Sequence, residues 1–171
     1  MTAAVVAALL LLAVADGAFA GFRASAGRTG LIRHRRSDYR AAARGAGLAG
    51  ALLAPVLAVM CAEAVRPGRL EDYARAGTAM LAIYGPSALV VLLALAGYTV
   101  LSWRLRYLAS ALVLGPFTLL RPGVAVLGAA VGAAESQDAI VAASVVLSVM
   151  AVLAVEPLAG RLWYTSAPGA G

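Results

Sequence analysis

Lysine is absent from the 171 residues, and cysteine and histidine occur once each, as Cys61 and His34. A lone Cys excludes an intramolecular disulfide, and one Cys with one His cannot build an ordinary zinc site, so no metal or cofactor is expected. Charge is scarce as well: 13% of residues are charged, against about 25% in soluble domains. Also missing are HExxH, GxSxG, a phosphate-binding loop and any His/Asp constellation. The chain therefore offers no catalytic residues, and an enzyme is not expected.

What fills the sequence instead is apolar, 63% of it, with mean hydropathy +0.89. The excess comes in blocks of about twenty residues or more, the length needed to cross a hydrocarbon layer about 30 Å thick. Five spans follow: about 2–22, 43–65, 76–101, 107–134 and 139–162. The expected fold is an all-α integral membrane bundle in one domain, residues 1–164, with a flexible tail over 165–171. "LLLLAVADGAFA" also resembles a signal peptide, but its start carries no Lys or Arg and Asp16 interrupts it, so a retained helix is expected.

All fourteen basic side chains are Arg, and seven lie between Arg23 and Arg44. Such clusters stay on the cytoplasmic side, which puts the 23–42 loop and the Arg104–Arg106 connection inside and the acidic "ESQD" turn outside. The predicted topology has the N-terminus out and the C-terminus in, in a bacterial inner membrane, with Trp103, Tyr107, Trp163 and Tyr164 near cytoplasmic ends. The turn between the second and third spans fits less well, since three Arg there meet Glu71 and Asp72. The 23–44 region suits anionic lipid headgroups; no nucleic-acid-binding motif accompanies it, so nucleic acid is not an expected partner. Ser37 or Asp38 is placed to cap the second helix, and Glu63, near a span end, is expected to be solvated.

Inside the spans, charge stands out. Asp16, Arg121 and Glu156 form the candidate polar site, because an ionised side chain near the bilayer centre costs roughly 2.5–3.5 kcal/mol and normally has a partner. Counted from the Arg flanks at 1.5 Å per residue, Asp16 lies about 10 Å deep, Glu156 about 8 Å and Arg121 about 22 Å. The count puts the carboxylates at one level and Arg121 roughly 12 Å beyond them, too far for a simple pair. Prolines supply helix breaks: Pro55, Pro86 and Pro116 all count to about 14–16 Å from the nearer flank, with Tyr84, Ser87 and Thr118 near enough to serve the carbonyls they free. "GPFTLLRPG" (Gly115–Gly123) should kink or split the fourth span. A half-helix starting at Pro122 would present its positive end beside Arg121, a seat for an anionic group. "GAFAG" and "GAAVG" are Gly-x-x-x-Gly patterns suited to close helix packing.

"LLAVADGAFAG" followed by a basic loop resembles the first helix of the manganese- and lysine-exporter superfamily. That resemblance implies a transport role for Asp16. It covers only this helix and loop; the chain has five predicted spans rather than six, and no second Asp-bearing half. Two functions are expected: a transporter or channel for a small ion or anionic solute, or an accessory subunit in which Arg121 meets an acidic residue of a membrane partner or a second copy.

Overall fold

A computed structural model describes residues 2–26, 36–105 and 110–164. They form six helical segments and no strand: α1 (Thr2–Ala26), α2 (Arg36–Ala64), α3 (Arg69–Leu105), α4 (Ser110–Ala134), α5 (Ala139–Leu153) and α6 (Val155–Tyr164). α5 and α6 are two parts of one run, Ala139–Leu162. With Ala4–Ala24 and Arg40–Ala64, it makes three stretches long and apolar enough to cross a bilayer; Leu120–Ala134 is apolar but shorter.

The helices outrun the apolar windows because polar residues join their ends. α3 starts at Arg69, seven residues ahead of Ala76, with Glu71 and Asp72 in its first turn, where carboxylates favour the positive end of the helix dipole. α2 starts at Arg36, so Ser37 and Asp38 sit in its first turn rather than at its cap. The 27–35 part of the Arg-rich loop, the connection at 106–109 and the tail lie outside the described residues. So do the side chains of Trp103, Tyr107, Trp163 and Tyr164.

α1 packs against α2, α3, α5 and α6, while α4 packs against α3 and α5. The α1–α2 crossing depends on small residues: a Cβ added at Gly21 would strike the Ala41 carbonyl and Gly45, and one at Gly17 would strike Ala49. The second Gly pair serves the α3–α4 contact, where Gly132 lies against the Ala76 carbonyl and Met80. Tyr73, Ala76, Met80 and Tyr84 of α3, Ala125 and Ala129 of α4, and Val141, Val145 and Val149 of α5 make the main core.

"GPFTLLRPG" does not split its helix. α4 runs unbroken from Ser110 to Ala134 through Pro116 and Pro122, just as α2 and α3 run through Pro55 and Pro86. The break falls in the last span, at Ala154. Pro157 explains it: with no N–H, it cannot bond to the Leu153 carbonyl four residues back, and the ladder parts there.

The two ends differ in finish. At the end carrying turns 65–68 and 135–138, Gly68 adopts φ 79, a left-handed geometry that glycine takes without strain. Asp72 accepts from the Gln137 N–H at 3.0 Å and from the Ser136 hydroxyl at 3.1 Å. Arg69 pairs with Asp138, which also caps α5 by accepting the Ile140 N–H. Glu63, expected in water, is largely covered and pairs with Arg66 at 3.3 Å and Arg69 at 3.9 Å. The mixed charge of this turn now has a reason: its Arg residues are matched by acids of both turns.

Candidate functional site

The longest polar side chain of α4 crosses to α1 and α6. Arg121 Nε lies 2.8 Å from Asp16 Oδ1, and its Nη1 donates to Glu156 Oε2 at 3.5 Å. The Arg121 and Asp16 side chains are each 5% exposed, whereas Glu156 is 33% exposed. Phe19, one helical turn beyond Asp16, sits under the guanidinium with its ring centre 5.3 Å away, a cation–π contact that further satisfies a desolvated charge. Tyr84 of α3 lines the same space as Asp16 and Arg121.

The pairing corrects the depth count, which had set Arg121 roughly 12 Å beyond the two carboxylates. That count used Arg106 as the level of the fourth helix's flank. α3 is 37 residues long and α4 is 25, about 55 Å and 37 Å at helical rise, so a count from Arg106 does not measure the level of α4. From the opposite end, where the turns 65–68 and 135–138 are latched together, the levels agree: Arg121 lies about 20 Å in, Asp16 about 21 Å and Glu156 about 25 Å. Asp16 and Glu156 meet the same guanidinium, and α1 and α6 are neighbours.

The proline level fares differently. From the same end Pro86 and Pro116 fall at about 26–27 Å, but Pro55 falls at about 14 Å, so three bends do not coincide. Pro55 and Pro86 both face outward. The Ser87 hydroxyl donates to the Tyr84 carbonyl at 2.9 Å, not to the Ala82 carbonyl that Pro86 leaves free. The Thr118 side chain lies outside the described residues. No helix starts at Pro122; the helix start that reaches Arg121 is that of α6, through Glu156 in its first turn.

Two spaces border the site. One, about 280 Å³, is lined by Leu12, Asp16, Ser87, Val90, Leu120 and Arg121 among others and opens between α1, α3 and α4. The other, about 80 Å³, has a mainly apolar lining that includes Tyr73, Tyr84, Ala125 and Ser148. No group of three or more His, Cys, Asp or Glu suited to a metal occurs among the described residues.

Sequence reasoning missed Phe19, Pro157 and Tyr73. Phe19 is three residues from Asp16 and so shares its face; Tyr73 and Tyr84 are eleven residues apart, three helical turns, and so line one face of α3. Against known protein families, curated proteins and solved structures, the chain finds no match.

Proposed function

We propose that the protein is a polytopic membrane protein that carries a small ion across the bacterial inner membrane, through a site made of Asp16, Arg121 and Glu156. The observation that carries this reading is the Arg121 guanidinium held between two carboxylates inside an apolar bundle. Replacing a buried ion pair with apolar residues is often neutral or stabilising, so stability alone does not explain its presence. Ionisable groups at membrane depth mark ion pathways more often than struts. In the proposed membrane frame the five spans leave the N-terminus outside, the 23–44 Arg cluster against anionic headgroups inside, and the latched turns 65–68 and 135–138 outside.

Charge selects the sign of the ion. Two carboxylates around one guanidinium suit a cation and disfavour the anionic solute that an unpaired Arg121 would attract. An accessory role in which Arg121 seeks a partner's carboxylate competes poorly, because two carboxylates of its own chain already hold it.

Purified protein in liposomes should pass protons, sodium ions or rubidium ions, read by an internal pH dye or by isotope uptake. Asp16→Asn and Arg121→Ala should each lower the flux at least tenfold while the protein still inserts. Undiminished flux in both variants, or passage of chloride alone, overturns the proposal.

A further inference from the structure

We infer that the space of about 280 Å³ beside the triad is a binding site for a lipid-soluble primary amine. Its ammonium head meets Asp16, and its apolar body fills the space between α1, α3 and α4.

The polar end of the site is set by what the triad leaves over. Asp16 gives Oδ1 to Arg121 Nε at 2.8 Å, and Arg121 Nη1 turns to Glu156 at 3.5 Å. Asp16 Oδ2 is buried and has no hydrogen-bond partner among the described residues. An acceptor left unmet at such burial is costly, most of all on a group that carries charge. Ser87, a hydroxyl on the same lining, does not supply the donor, because it gives its proton to the Tyr84 carbonyl at 2.9 Å. A primary ammonium carries three N–H donors. One serves Oδ2, and the others suit the lone pairs of the Tyr84 and Ser87 hydroxyls, which border the same space.

Charge makes the same choice. Two carboxylates surround one guanidinium, so one added monocation brings the positive groups level with the negative ones. An anionic head would face both carboxylates. A metal ion would find Leu12, Ala15, Val90, Leu120 and Val124 over most of the lining, and these offer it no ligands.

Size and access define the body. The volume of about 280 Å³ is nearly twice the roughly 150 Å³ that takes up benzene in an apolar cavity, which suits a body of about ten carbons. Val90 and Leu120 line the space and are 51% and 62% exposed, so it opens on the apolar exterior. Asp16 and Arg121 lie about 20–21 Å from the latched end, inside a hydrocarbon layer about 30 Å thick. The ligand therefore enters sideways from the bilayer.

The test titrates full-length protein in nanodiscs with isotope-labelled decylammonium, with protein-free nanodiscs as the blank. Saturable binding of one molecule per protein is expected. Asp16→Asn removes the counter-charge at nearly the same shape, and Ala88→Phe fills the apolar part of the space without touching the triad. Each should weaken binding at least tenfold in protein that stays monodisperse. Leu11→Phe, on the exposed side of α1 and outside the lining, should leave it unchanged. Decanol lacks the charge and decyltrimethylammonium lacks the N–H donors, so both should bind at least tenfold more weakly. No saturable binding to the parent, or parent-level binding in both Asp16→Asn and Ala88→Phe, overturns the site. Decanol binding as tightly as the amine overturns the ammonium as its head. Binding needs no flux, so a parent protein that passes no ion removes the transport reading and leaves this one to its own measurement.

Discussion

Arg121 holds two carboxylates and covers one aromatic ring at once, so its loss differs from the loss of a surface charge. Arg121→Ala strands Asp16, whose side chain is 5% exposed, and breaking a buried pair costs about 3–5 kcal/mol. The Asp16→Ala/Arg121→Ala double variant should lose less than the sum of its single losses, because no buried charge is left alone; unfolding in mixed micelles measures both. At the far end the Asp138 carboxyl is held below its usual range, first by the Arg69 hydrogen bond and then by the Ile140 N–H. A depressed carboxyl stabilises the fold above its unfolded value, about 3.9, and that stabilisation is lost as pH falls through the lower folded value. Asp138→Asn should therefore flatten the acid limb of the stability–pH curve. The sequence showed the three charges of the triad. It hid their meeting, because Arg106, from which the level of Arg121 was counted, follows a helix longer than its apolar window.

At the scale of the helix, small residues and one proline set the geometry. The α1–α2 crossing brings backbone against backbone at Gly17, Gly21 and Gly45, so a side chain there forces the helices apart. Gly45→Leu should abolish monodisperse protein, while Gly47→Leu, two residues on and facing outward with nothing within 4 Å, should be tolerated; size-exclusion profiles in detergent discriminate them. Gly-x-x-x-Gly spacing made the α1 side of this contact legible. Its α2 side, Ala41, Gly45 and Ala49, is the same small-residue ridge at four-residue spacing, which was readable but is common in an Ala-rich chain. The prolines misled for a related reason. A helix interior tolerates proline when neighbours or solvent satisfy the freed carbonyl, so its presence alone does not mark a break. Pro157 parts the ladder between α5 and α6 and starts a new helix with Glu156 in its first turn. The break thereby carries Glu156 to Arg121.

Over the described residues the surface is apolar where that of a soluble fold is polar, and two charges lie inside an apolar core. Leu11 is 72% exposed, Leu93 63% and Leu120 62%, while Asp16 and Arg121 are 7% and 6% exposed. In water that surface would aggregate; facing lipid, it is the expected exterior, with polar groups turned inward toward partners. The distribution of charge also bears on orientation. The latched end exposes Glu135 and Gln137 between paired charges, whereas the sequence from 23 to 44 carries seven Arg against one acid, Asp38. An excess of Arg in short connections holds them in the cytoplasm, and acidic residues counteract this only weakly. The latched turns should then face outward although they contain Arg66 and Arg69, because the cluster at the other end outweighs them. In a Cys61→Ser background, Gln137→Cys should react with a membrane-impermeant maleimide added to intact cells. Thr29→Cys should react only after permeabilisation. The reverse pattern would place Glu156 at the outer face and turn the whole axis, and with it the direction of any ion entering at that residue.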